Sequence, residues 1–329
     1  MTADAVDALP GIVVLCLGAL SARTLSTVVG VNELLLAIGL GVVVANTVGV
    51  PDRLGPGVAT HSIWLAAGIV LLGASLTVES ILEAGSTVLV LMLLTVAVTV
   101  GIVETIARNV AGLTERFGSL LAAGAGICGV SAVVAVGGAV RAKETQIAYA
   151  AGVVLLADAV TIVVYPIVGS VLDLSGIVFG VWAGVSMLST GPVVAVGFAH
   201  SEVAGQWATV TKLARNALIG AVALGYGSYY ARHGSGGPTS PRMLWVNFPK
   251  FVLGFLAFIV LASAGVFSSG QQASIANAVD WLFLLAFAGL GTEIRIDDLR
   301  RTGVVPALVV FATMLLVSAV SLVVALAVF

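Results

Sequence analysis

The chain has 329 residues, 60% of them hydrophobic and 9% charged, with a net charge of -2 and a mean hydropathy of +1.16. A soluble domain carries about a quarter charged residues, so the composition excludes a soluble globular protein. It predicts an all-α polytopic membrane protein, one transmembrane domain over 1–329. So small a net charge also argues against a nucleic-acid partner.

In chain order, the start from Met1 to Leu9 carries Asp4 and Asp7 and no basic side chain. A cleaved signal peptide has a basic first region, so the first helix is expected to stay. A helix crosses the hydrocarbon core in about 20 residues. Full spans are expected near 10–25, 32–49, 61–77, 85–107, 145–170, 204–230, 250–266, 274–291 and 304–328. Cys16 and Cys128 both fall in apolar stretches, which argues against a structural disulfide. The polar gap from Ala231 to Asn247 reads as a loop.

Two further apolar stretches, 117–141 and 177–200, are interrupted by small residues. Gly124-Ala125-Gly126-Ile127-Cys128-Gly129 precedes Ser131-Ala132-Val133-Val134-Ala135-Val136-Gly137. Leu188-Ser189-Thr190 precedes the echo Gly191-Pro192-Val193-Val194-Ala195-Val196-Gly197. Irregular backbone survives at membrane depth only where protein or a water-filled cavity satisfies it, and paired interruptions of this kind point to a transporter's binding site. The units 117–170 and 177–230 therefore read as inverted repeats. A second repeat pairs 32–107 with 250–328: Leu72-Gly73-Ala74-Ser75-Leu76-Thr77 leads to Gly85 as Leu290-Gly291-Thr292-Glu293-Ile294-Arg295 leads through Leu299 to Gly303.

Loop cations mark the cytoplasmic side. If both broken stretches are re-entrant hairpins, every loop Arg and Lys except Arg23 shares one face. If both cross fully, Arg23, Arg141 and Lys143 fall on the wrong side. The favoured reading is nine spans plus two opposed hairpins, with the N-terminus cytoplasmic in a multi-pass plasma-membrane protein. Eleven full crossings is the alternative.

Lys212, Arg215 and Asn216 lie inside an expected span. An Arg or Lys at a helix centre costs at least about 2.5–3.5 kcal/mol on the insertion scale, so these are functional candidates. Lys212 and Arg215 are three apart and share a helix face. Asp158 is near the middle of its own span, at the repeat level of Arg215. It reads either as their counter-ion or as a titrating group carrying a proton or binding a coupling ion. Half-helices starting at Ser131 and Pro192 would offer free N–H groups and positive dipole ends, with Ser131, Ser189 and Thr190 adding hydroxyls. The expected substrate site is thus Cys128, Gly129, Ser131, Ser189, Thr190, Gly191, Lys212, Arg215 and Asn216. Its sum of two cations and one acid suits an anion. Glu104 and Arg108, four apart, are expected to pair, and Asn46 to line a cavity. His61, His200 and His233 show no metal-ligand spacing. No nucleotide-binding, zinc-protease or nucleophile-elbow motif is present, so no enzyme activity and no cofactor are expected beyond coupling to protons or sodium.

Gly126-Ile127-Cys128-Gly129-Val130-Ser131-Ala132, Ala142-Lys143-Glu144, Trp182-Ala183-Gly184, Ser201-Glu202-Val203-Ala204-Gly205 and Lys212-Leu213-Ala214-Arg215-Asn216 resemble the YeiH-like sulfate exporter family. The resemblance implies a secondary transporter of the cation–proton antiporter and bile-acid symporter fold group, with inverted repeats, broken helices and an elevator-like core. It implies export of sulfate, sulfite or a related sulfur oxyanion or organosulfonate. Two departures stand out: Leu188-Ser189-Thr190-Gly191-Pro192 replaces the family's His-Asp-Thr-Ser, and Asp158 stands where many members have Asn. The expected partners are a small anion and the lipid bilayer, with a homodimer left open. A cation–proton antiporter using Asp158, and a channel or non-transporting scaffold, are the alternatives.

Overall fold

The computed structural model describes residues 3–233, 242–297 and 303–329. The rest of the expected loop at 234–241, and Asp298, Leu299, Arg300 and Arg301, lie outside them. All regular elements among the described residues are helical. Hydrocarbon offers no water to main-chain N–H and C=O groups, and a helix satisfies them internally. Among the described residues, six helical stretches are long and apolar enough to cross a bilayer: Asp7–Val29, Gly55–Ser75, Thr87–Val110, Glu144–Val171, Ser269–Thr292 and Val304–Val328. The backbone divides into two units, Met1–Gly85 with Lys250–Ile296, and Ser86–Pro249 with Asp297–Phe329.

The first unit holds α1 (Ala3–Val29), α2 (Glu33–Thr47), α3 (Gly55–Val58), α4 (His61–Leu72) and the start of α5 (Val78–Thr105). α5 begins at Val78, ahead of the expected start near 85. Asn32 caps α2 by accepting from Leu34 N at 2.9 Å. Two helices late in the chain, Phe251–Ser263 and Ser269–Thr292, complete this unit, the second packing on α2 and α4. These helices approach closely at small residues: a Cβ on Gly41 would lie 2.9 Å from Gly291 Cα, and one on Gly11 2.6 Å from Gly57 Cα. Such seams replace the hydrophobic drive that lipid removes. Arg23, expected in a loop, lies within α1, and its guanidinium is 4.6 Å from the Trp281 ring centre. Asn46 pins backbone, donating to Ile294 O at 2.8 Å and accepting from Ile296 N at 2.7 Å.

In the second unit, α5 ends in a π-helical turn, Ile106–Val110, where Arg108 Nε meets Glu104 Oε2 at 2.5 Å. The pair is joined by Ser119 and Tyr230, each accepting from Arg108. Then come α6 (Glu115–Ala123), a π turn (Gly124–Cys128), α7 (Val130–Val140), α8 (Glu144–Val171), α9 (Gly176–Ser186), α10 (Thr190–His200), α11 (Glu202–Asn216), α12 (Ile219–Arg232) and α13 (Arg242–Asn247). In chain order the remaining helices are α14 (Phe251–Ser263) and α15 (Ser269–Thr292), already placed, and α16 (Val304–Val328). α16 packs on α8 and α9, where Trp182 Nε1 donates to Ser318 O at 3.0 Å and Tyr165 O–H reaches Ser318 Oγ at 2.9 Å.

α6 and α7 fold back on one another: a Cβ on Gly137 would lie 3.5 Å from Leu120 Cδ2, and one on Gly124 2.8 Å from Val133 Cγ2. α9 and α10 do the same. His200 Nε2 is 2.9 Å from Leu174 O, and the His200 and Phe179 rings stack at 4.0 Å, so the end of α10 returns to the start of α9. α8 relates the two hairpins. Near its start, Gln146 Nε2 donates to Thr114 Oγ1 at 3.0 Å, beside the open end of the first hairpin. Near its end, Gly169 meets Phe179 and His200, beside the open end of the second. The hairpins therefore approach along α8 from opposite ends, with their tips at its middle.

The expected span 204–230 is two helices, α11 and α12, parted at Ala217-Leu218. Ala217 N and Leu218 N donate to Leu213 O and Arg215 O at 3.0 Å each. The side chains of the last turn of α11 are drawn toward the hairpin tips, and the chain turns directly after Asn216.

Candidate functional site

Breaking a helix strands carbonyls at the end of one arm and N–H groups at the start of the next. Each hairpin tip presents both. The first arm of hairpin one ends in the π turn, where Gly129 N bonds back to Gly124 O at 3.0 Å. Gly129 has φ 70° and ψ -134°, a conformation in which an L side chain is strained. α7 then starts at Val130 rather than Ser131. In hairpin two, Met187 and Leu188 separate α9 from Ser189, and α10 starts at Thr190 rather than Pro192.

Lys212 and Arg215 reach into these breaks from α11. Their exposures are 0% and 1%, with Asp158 at 2% and Asn216 at 3%. Lys212 Nζ donates to Ile127 O at 3.0 Å, Met187 O at 3.1 Å, and Leu188 O. Arg215 donates to Gly184 O at 3.1 Å and Met187 O at 2.9 Å through one nitrogen, which also reaches Val185 O, and to Ala125 O at 3.1 Å through the other. Each cation thus joins the carbonyl end of hairpin one to that of hairpin two. A positive charge at a helix C-terminus also meets the negative end of its dipole. Stranded carbonyls and buried cations each cost free energy alone, and they offset one another here.

The N–H ends are treated unequally. Asp158 Oδ1, from the middle of α8, accepts from Ser189 N at 3.1 Å, placing a carboxylate at the start of α10, where a negative charge is favoured. The corresponding start of α7, Val130 and Ser131, is more open: Val130 is half-buried and Ser131 exposed. Asn216 Nδ2 donates to Thr190 Oγ1 at 2.9 Å, while Asn216 Oδ1 is buried with no hydrogen-bond partner among the described residues. The tips touch, since a Cβ on Gly129 would collide with Ser189 Oγ.

The structure therefore gathers Cys128, Gly129, Ser189, Thr190, Lys212, Arg215, Asn216 and Asp158 at the two tips. Ser131 is one residue into α7, and Gly191 is buried in the first turn of α10. The sequence reading missed the main-chain carbonyls of 125, 127, 184, 185, 187 and 188 as the partners of the two cations. Every residue carries a carbonyl, so side-chain identity holds no signal for them. No group of three or more His, Cys, Asp or Glu arranged to hold a metal occurs among the described residues, and both cysteines are free.

A family model described as Conserved hypothetical protein 698 matches residues 9–310. A UPF0324 membrane protein of Nitratidesulfovibrio vulgaris is 32% identical over 313 residues, covering 90% of this chain and 87% of the relative. One from Bacillus cereus is 31% identical over 299 residues, covering 89% and 87%. Another, from Corynebacterium glutamicum, is 32% identical over 295 residues, covering 89% and 84%. No solved structure matches the chain.

Proposed function

The chain belongs to the membrane-protein family described as Conserved hypothetical protein 698, and from that premise we propose that it is a secondary transporter of a small anion, working by alternating access. The observation that carries this reading is the meeting of two broken helices at a buried cluster of two cations and one acid. A net positive charge sealed in a low-dielectric interior is costly unless paired, and an anion arriving beside the open start of α7 would offset it. Val130 and Ser131 supply N–H groups, Ser131 and Thr190 hydroxyls, and Asn216 its amide. Lys212 and Arg215 supply charge while holding both tips in place. The opposed hairpins fit inverted repeats entering a bilayer from its two faces. Sulfate, sulfite and organosulfonates, implied by the resemblance to the YeiH-like family, are the substrates to try first. Radiolabelled uptake into proteoliposomes tests the reading: accumulation of one of these anions is expected, and absence of any anion flux overturns it.

One observation favours a cation–proton antiporter instead. The buried Asn216 Oδ1 and the Asp158 carboxylate are acceptors, not donors. Sodium-driven proton flux from the same vesicles, with no anion flux, is the result that selects this second reading.

Asp158 is assigned the coupling role, because its carboxylate holds the start of α10 and protonation would release it. Asp158→Asn keeps an oxygen acceptor at Ser189 N. It is expected to cost about 2 kcal/mol of stability, the worth of a charge at a helix end shielded from water, and to flatten the pH dependence of uptake. An unchanged pH profile removes Asp158 from coupling. Topology has its own check. Lys143 and Ser170 lie at opposite ends of α8, about 40 Å apart at the helical rise. Single cysteines at these positions, introduced with Cys16 and Cys128 replaced, are expected to label from opposite faces, position 143 from the cytoplasm. Labelling of 143 only from outside refutes opposed re-entry.

A further inference from the structure

The first unit contains two adjoining concavities away from the hairpin tips. One, of about 200 Å3, is lined by His61, Thr292, Glu293 and Arg295 together with Val50 and Val58. The other, of about 250 Å3, is almost wholly apolar and runs between α1 and α2 past Leu17, Gly18, Leu40 and Val44. They share Val50, Val58 and Thr292, so a charged recess leads into an apolar groove. From Val14 to Ser21 the groove follows α1 for about 10 Å at the helical rise.

The two parts ask for one ligand with a charged head and an apolar tail. His61 Nε2 lies 3.0 Å from Glu293 Oε1, and the Glu293 side chain is still 47% exposed. Arg295 also lines the recess and is exposed. The recess is therefore lined by a partly exposed carboxylate and an exposed guanidinium. A guanidinium matches phosphate as a forked donor. A carboxylate matches a primary ammonium, which has N–H groups to give.

We propose that this recess and groove bind a phospholipid whose headgroup carries both a phosphate and a primary ammonium, phosphatidylethanolamine, with the phosphate on Arg295, the ammonium on Glu293 and an acyl chain along α1 and α2. Phosphatidylcholine has no N–H for Glu293, and phosphatidylglycerol brings no positive charge to it. The proposal is independent of what the chain transports, because all the residues it uses belong to the first unit.

Native mass spectrometry of the purified full chain tests it, with equimolar phosphatidylethanolamine, phosphatidylcholine and phosphatidylglycerol of identical acyl chains. Phosphatidylethanolamine is expected to be retained about tenfold over phosphatidylcholine, the worth of one charge-assisted hydrogen bond. Glu293→Gln should erase that preference. Arg295→Gln, at an exposed position that leaves the His61 pair intact, should reduce retention of phosphatidylethanolamine and phosphatidylglycerol alike. Val44→Trp, filling the groove at another exposed position, should reduce retention of all three. Equal retention of the three lipids by the wild-type protein, or a preference that survives both Glu293→Gln and Arg295→Gln, overturns the proposal.

Discussion

Replacing Arg215 by alanine is expected to destabilise the protein by at least about 3 kcal/mol, since each buried acceptor left unsatisfied costs about 1–3 kcal/mol. Ala125 O, Gly184 O and Val185 O all lose the guanidinium that reaches them. Thermal unfolding in detergent reads the stability loss, and anion uptake should vanish with it. Arg215→Lys should recover little, because one ammonium cannot reproduce the planar fork that joins Ala125 of one tip to Gly184 and Met187 of the other. Asp158→Asn in the Arg215→Ala background should not rescue, since the lost bonds run to carbonyls and not to the carboxylate. Rescue to near wild-type melting would show that Arg215 serves chiefly to neutralise Asp158.

Gly129→Val is the second large effect. Two costs act together. A side chain at φ 70° and ψ -134° adds about 1–3 kcal/mol of backbone strain. Its Cβ would also overlap Ser189 Oγ, and overpacking of this kind adds about 1–3 kcal/mol. The tips must then separate or the backbone must rearrange, and the carbonyls held by Lys212 and Arg215 move with them. Uptake should fall to background. Gly138→Ala is the control: it is helical, a Cβ there meets nothing within 4 Å, and alanine in a helix interior gains about 0.5–1 kcal/mol over glycine. If Gly129→Val melts and transports like Gly138→Ala, the tips do not depend on their contact.

Much of this protein was legible in its sequence because the relevant costs are properties of single residues or short runs. Transfer of apolar side chains into lipid determined the membrane class and most helices. Small residues and Gly-Pro steps marked the breaks at Gly129 and at Leu188-Ser189-Thr190, where the structure ends one half-helix and starts the next. The charge of Lys212, Arg215 and Asp158, set in apolar surroundings, marked them as residues that must find partners.

Which partners they found was decided only by tertiary structure. The expected anion cradle has its cations turned toward the carbonyl ends of α9 and the π turn, and Asp158 already sits at the start of α10. The continuous span expected over 204–230 is instead α11 and α12, parted at Ala217-Leu218 directly after the residues that hold the two hairpin tips. Hydrophobicity and charge are written in side chains and can be read along the chain. A main-chain carbonyl is the same on every residue, so which one a buried cation meets depends on where the backbone folds back, and that is known only once the hairpins are packed.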